Sequence, residues 1–209
     1  MIDEQTSKRP RSFWKELPIL LGVAILVAFL VRTFVLQTFY IPSESMQHTL
    51  ELNDRVLVDK VVYDFRSPRR GEIVVFRVPD EWTPTGEDYI KRVIGVGGDT
   101  VKCCDDQGRL LINGHPVDEP YIYSQGGVRD PAAPSEFEVT VPEGRLWVMG
   151  DHRSASGDSY QHWQMSNQDV MVATVPEDAV VGRAFAIYWP VGRATWLSSP
   201  ESLAAVPEK

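Results

Sequence analysis

Positive charge is scarce in this 209-residue chain: 21 Lys and Arg stand against 29 Asp and Glu, a formal net charge of −8. Nucleic-acid binding, which needs a basic stripe, is disfavoured on that ground, and the acidity reads as an aid to solubility. Cysteine is nearly absent. The two present, Cys103 and Cys104, are adjacent, which fits neither a zinc site nor a redox C-x-x-C motif. Their Cα atoms would lie only about 3.8 Å apart across a trans peptide, short for an ordinary disulfide. The pair therefore reads as structural, with a vicinal disulfide left open in an oxidising compartment. The four histidines, His48, His115, His152 and His162, have no metal-ligand spacing, so no metal is expected. No internal repeat and no long amphipathic helix is visible. Disorder is not the default either, since 43% of the residues are hydrophobic and 24% charged. The length suggests one domain, perhaps two.

Against these absences one long apolar run stands out. Residues 17–31 are almost wholly apolar, and after Arg32 the character resumes through Phe34, Val35 and Leu36. A helix over 17–36 would span roughly 30 Å, about the thickness of a bilayer's hydrocarbon core. Arg32 near one end can snorkel to the interface, and Phe39 and Tyr40 follow where interfacial aromatics are common. A cleavable signal peptide would need a small-x-small site after the run, and Arg-Thr-Phe-Val-Leu-Gln-Thr-Phe-Tyr offers none. The segment is therefore expected to be an uncleaved transmembrane anchor, ahead of a buried core helix or a cleaved signal. Lys8, Arg9, Arg11 and Lys15 precede it, which places residues 1–16 as a cytoplasmic tail and 37–209 outside.

Beyond Pro42 the pattern turns to β. Residues 54–62, 71–78 and 89–96 are rich in Val and Ile and bounded by Gly and Pro, with 67–71 as a loop. Asn113-Gly114 between 109–112 and 115–119 is a type I′ hairpin signal. Residues 124–134 read as an exposed loop, and 137–141, 145–149 and 179–189 as further strands. The expected fold is mainly β: a single N-terminal transmembrane helix followed by an antiparallel sheet or barrel-like domain, with a small β insertion about 102–142.

Three segments could carry chemistry. In Ile41-Pro42-Ser43-Glu44-Ser45-Met46 two serines sit in a loop, weak evidence alone. Ser45, however, follows Tyr40 by five residues, within about 17 Å of the interfacial aromatic. In Tyr89-Ile90-Lys91-Arg92-Val93, strand alternation puts Tyr89, Lys91 and Val93 on one face. An isolated strand lysine usually reaches solvent, yet burial beside an aromatic and a β-branched residue would favour the neutral amine. To act as a base, Lys91 must titrate near pH 7 to 8 against an ordinary 10.4, a cost of about 4 kcal/mol that only a desolvated site imposes. The gain is an amine able to take a serine proton. The third segment, residues 150–159, is a polar loop after a strand. Asp151-His152 raises a rival Ser-His-Asp arrangement, but adjacent side chains on extended backbone point apart, against one relay.

Taken together these residues resemble the type I signal peptidases. The likeness runs through Pro-Ser-x-Ser-Met at 42–46, Asp-Arg-Val-Leu-Val at 54–58, Lys-Arg-Val-Ile-Gly at 91–95 and Gly-Asp at 98–99. It continues with Gly-Asp-x-Arg-x-x-Ser-x-Asp-Ser at 150–159. The resemblance implies Ser45 as nucleophile, Lys91 as general base, and Ser43 joining the Ser45 N–H in an oxyanion hole. It implies Ser156 as the serine that orients the lysine amine and Asp158 as part of the supporting shell. Tyr160 stands where the family often has Arg, so Asp158 is expected to find Arg92 or Arg153 instead, and His152 stands where Asn is usual. The Gly-Asp-His-Arg variant and the Cys-Cys pair resemble actinobacterial members. The implied activity is membrane-bound cleavage of signal peptides from secretory preproteins at the outer face of the cytoplasmic membrane, after small residues. The enzyme would be a monomer in contact with the lipid bilayer, needing no cofactor.

Overall fold

The computed structural model describes residues 13–30, 32, 35–84 and 86–207, leaving most of the expected 1–16 tail outside the described residues. The chain divides into two compact units, Met1–Val35 and Leu36–Lys209. The first is built on helix α1 (Phe13–Leu30), whose apolar side chains, Leu20, Ile25 and Phe29 among them, are exposed. Leu36, expected as the last residue of the anchor, pairs with Asp59 in a sheet. Among the described residues no helix is long and apolar enough to cross a membrane.

The second unit is antiparallel β. Its strands are β1 (Leu36–Tyr40), β2 (Arg55–Asp59), β3 (Ile73–Arg77), β4 (Asp88–Gly95), β5 (Thr100–Cys103), β6 (Leu110–Ile112), β7 (His115–Pro116), β8 (Ser124–Gln125), β9 (Val128–Arg129), β10 (Phe137–Thr140), β11 (Arg145–Met149), β12 (Val175–Pro176), β13 (Val180–Trp189) and β14 (Thr195–Trp196). Short helices α2 (Ser159–Met165), α3 (Val170–Ala173) and α4 (Glu201–Ala204) lie between and after them. The main sheet runs β1-β2-β13-β3-β4-β11-β12, with β14 on β13. The insertion forms a second sheet, β10-β5-β6-β7, and a separate β8–β9 hairpin.

Local chemistry sets the element ends. The expected strand 54–62 stops at Asp59, whose carboxylate accepts the N–H groups of Val61 and Val62 at 3.0 and 3.2 Å and folds the chain into a 3₁₀ turn. Asn113 and Gly114, at φ 54° and 80°, make the tight turn between β6 and β7. The expected exposed loop 124–134 holds the β8–β9 hairpin, turned by Gly126-Gly127. Cys103 and Cys104 are joined by a disulfide at the end of β5.

The core is continuous with the two segments of interest. Met46 and Leu50, both fully buried, pack with Ile41, Val56, Val58 and Ile73, so the turn that carries Ser45 is seated in the main sheet. Each such side chain contributes about 1.5–3 kcal/mol of burial. Strand β4 sits between β3 and β11 and is buried on both faces from Ile90 to Gly95. A charged residue in that stretch must find a partner or give up its charge.

Candidate active site

Residues 43–50 form a tight turn, closed by Gln47 N–H to Glu44 O at 2.9 Å and Leu50 N–H to Met46 O at 2.8 Å. It presents Ser45 to β4. Lys91 Nζ lies 2.7 Å from Ser45 Oγ and donates to Ile90 O at 3.1 Å. Both residues are buried, Ser45 at 6% exposure and Lys91 at 4%. Among the described residues no carboxylate touches the amine. Desolvation by burial pushes the Lys91 pKa down from 10.5 to about 8, while the charges of Asp158 and Asp151 act in the opposite sense. The Tyr89 ring, on the same strand face, lies 5.2 Å from Nζ.

Ser43 Oγ is 3.4 Å from Ser45 Oγ, on the rim of a cleft of about 360 Å³ that also holds Ser45, Lys91, Tyr89 and Ala155. Among the described residues no backbone acceptor takes the Ser45 N–H. An anion forming at Ser45 would thus meet two candidate donors, that N–H and the Ser43 hydroxyl.

The loop after β11 supports the turn from beneath. His152 N–H donates to Ser45 O at 3.1 Å, and its ring contacts Glu44 O through Nδ1 at 3.3 Å while stacking on Tyr123. Gly150 is required for this approach, since a Cβ there would collide with the Ser45 carbonyl oxygen and the Ser156 hydroxyl. Asp151 is fully buried against Arg92, with Nε to Oδ1 at 2.9 Å and Nη2 to Oδ2 at 2.6 Å. Neither His152 nor Asp151 addresses the Ser45 hydroxyl, so the rival triad has no geometry here.

Two of the implied supporting contacts differ from expectation. Among the described residues Ser156 Oγ, which is buried, has no hydrogen-bond partner; the amine it was expected to orient bonds Ser45 and the Ile90 carbonyl instead. Among the described residues Asp158 has no arginine partner. Arg92 is taken by Asp151 and Arg153 by Glu119, at 2.5 Å. Asp158 caps α2 instead, accepting from Tyr160 N–H at 3.1 Å and Gln161 N–H at 3.5 Å, and also from Gly150 N–H at 3.0 Å. Backbone donors at a helix start satisfy a carboxylate as an arginine would, which leaves Tyr160 free to join the aromatic core with Phe137 and Trp163. Sequence reasoning missed the Arg92–Asp151 pair. The available signal was Arg92 on a strand face otherwise occupied by Ile90 and Ile94, where a buried guanidinium demands a carboxylate.

Comparisons with known proteins place the chain in a family. The family described as signal peptidase, peptidase S26, matches residues 14–189. Signal peptidase I of Mycobacterium tuberculosis is 38% identical over 88% of this chain and 75% of its own length. The probable signal peptidase I-2 of a Synechocystis species is also 38% identical, over 98% of this chain and 88% of its own. A solved signal peptidase I from Enterococcus faecalis aligns at 28% identity over 56% of this chain and 97% of its own, with a TM-score of 0.42. With a match across most of its length, the chain belongs to the signal peptidase family, peptidase S26.

Proposed function

We propose that this protein is a serine endopeptidase that removes signal peptides from secretory preproteins, with Ser45 as nucleophile and Lys91 as general base. The observation that carries the reading is the buried 2.7 Å contact between Lys91 Nζ and Ser45 Oγ, with the amine titrating near 8. A neutral amine at that distance takes the hydroxyl proton as Oγ attacks the scissile carbonyl. The oxyanion forms against the Ser45 N–H and the Ser43 hydroxyl. The protonated Lys91 then gives its proton to the leaving amine, and an acyl-enzyme on Ser45 remains. Water, deprotonated by the same lysine, hydrolyses the ester and restores the site.

The substrate binds extended along β4. Residues 88–90 pair with β3 on one side only, since β11 begins its pairing at Arg92. The open edge can accept a peptide as an added strand. Alternate residues of that peptide then face the same wall, where Ala155 and Gly157 line the cleft and leave room for small side chains. The apolar N-terminal segment holds the enzyme at the membrane, N-terminus inside, so that the cleft meets preproteins at the outer face, the catalytic unit acting as a monomer. Its apolar composition and the exposed side chains of α1 support this placement.

The test is cleavage of a model preprotein by the purified chain, with the cut mapped by mass spectrometry. Wild type should cut once, after a small residue. Ser45→Ala and Lys91→Ala should each stay folded and lose cleavage; processing near the wild-type rate in either would refute the dyad.

A further inference from the structure

Ser45 and Lys91 come from different elements, so the distance between them depends on how the nucleophile turn is held against β4. Lys91 and Arg92 are consecutive on that strand, and their side chains leave opposite faces. Lys91 reaches Ser45. Arg92 reaches a second residue of the same turn, Thr49, four positions beyond the nucleophile. Arg92 Nη2 donates to the Thr49 hydroxyl at 3.3 Å and to Asp151 Oδ2 at 2.6 Å, and the Thr49 hydroxyl donates to the same Oδ2 at 2.5 Å. Arg92 and Asp151 are buried. The hydroxyl thus accepts and donates at once, which a small side chain manages only as Thr or Ser. The third tie comes through the chain: Asp151 precedes His152, whose N–H holds the Ser45 carbonyl at 3.1 Å.

From this junction we infer that Thr49 is a positioning residue for the reaction: its hydroxyl bolts the nucleophile turn to Arg92 and Asp151, and so keeps Ser45 Oγ within reach of Lys91 Nζ. The turn grips β4 from both faces, by Ser45 on one and Thr49 on the other. Releasing the second grip lets the turn pivot about the first. A displacement of about 1 Å at reacting atoms costs up to 10²-fold in rate. Thr49 does not line the cleft that would receive the peptide, so the loss falls on kcat and not on KM. The inference rests on the Ser45–Lys91 reading of the site.

The test is steady-state cleavage of a preprotein by the full chain carrying Thr49→Val, Thr49→Ala or Thr49→Ser, with Ser45→Ala in parallel. Val keeps the shape and loses the hydroxyl; Ser keeps the hydroxyl and loses the methyl. In Thr49→Val and Thr49→Ala, kcat should fall roughly 10- to 100-fold with KM within about twofold, while Thr49→Ser stays within about threefold of wild type. If Thr49→Val does not fold, the Ala and Ser variants carry the same comparison. Wild-type kcat in the hydroxyl-free variants, a loss confined to KM, or Thr49→Ser as slow as Thr49→Ala would each overturn the bridge. Inactive Ser45→Ala beside any of these results refutes the bridge alone. Cleavage by Ser45→Ala would overturn the dyad reading and the bridge with it.

Discussion

Replacing Lys91 by Met removes a buried amine and leaves a side chain of similar length. In the folded protein the amine titrates near 8 against 10.5 for its ordinary value. The unfolded chain therefore binds more protons than the folded one between about pH 8 and 10.5, and wild-type stability rises with pH across that window. At pH 7 the burial penalty is fully present, about 3 kcal/mol. By pH 9 roughly 1 kcal/mol of it has been relieved. Lys91→Met carries none of this term. It leaves Ser45 Oγ and Ile90 O without their donor, at about 1–3 kcal/mol for each group left unsatisfied, but that loss does not depend on pH. Other titrating groups are shared and cancel in the comparison. Urea unfolding of both proteins at pH 7, 8 and 9 should thus show wild type gaining about 1 kcal/mol on the variant between the first and last. Parallel stability curves would mean that Lys91 keeps an ordinary affinity for its proton, and the proposed base would lose its physical basis.

Three further outcomes follow from the same geometry. The pH–rate profile for preprotein cleavage should rise through about pH 8, because only the deprotonated amine can accept the Ser45 proton; an ascending limb near pH 10 would place Lys91 in solvent. Ser43→Ala should lower kcat by roughly 10²–10³ with little change in KM, the usual loss of one oxyanion donor; a change in KM alone would make Ser43 a substrate contact. Gly150→Ala forces a methyl against the Ser45 carbonyl and Ser156, so it should cost about 1–3 kcal/mol of stability and lower kcat about 10²-fold; full activity would show that the turn has slack.

Strands were legible where apolar alternation and Gly or Pro punctuation coincide, as in β3, β4, β11 and β13. Where a single side chain ends an element, as Asp59 ends β2, the pattern alone runs on past the true boundary. The helix expected over 17–36 overran for a related reason: Leu36 is as apolar as the residues before it, but its backbone pairs with β2, and strand pairing leaves no mark in composition. Ser43, Ser45 and Lys91 stood out through their motifs, and the fold brings all three to one cleft. Partners of the buried charges were not legible. Asp158 was expected to seek an arginine because charge suggests countercharge, whereas three backbone N–H groups serve it. Nothing in a sequence shows where a helix start will point its free donors.

That difference bears on how the site keeps a reactive amine. Arg92, next to it on β4, and Arg153, buried in the same unit, are each locked to a carboxylate. Asp151 and Asp158 both raise the proton affinity of Lys91 through space, and an unsatisfied carboxylate in either place would raise it further. Arg92 and Thr49 hold Asp151, and the α2 N-terminus holds Asp158. With each acid engaged elsewhere, desolvation remains the largest influence on Lys91, and it favours the neutral form that catalysis requires. A design that gave Lys91 its own carboxylate would hold the amine protonated at neutral pH and would lose the base.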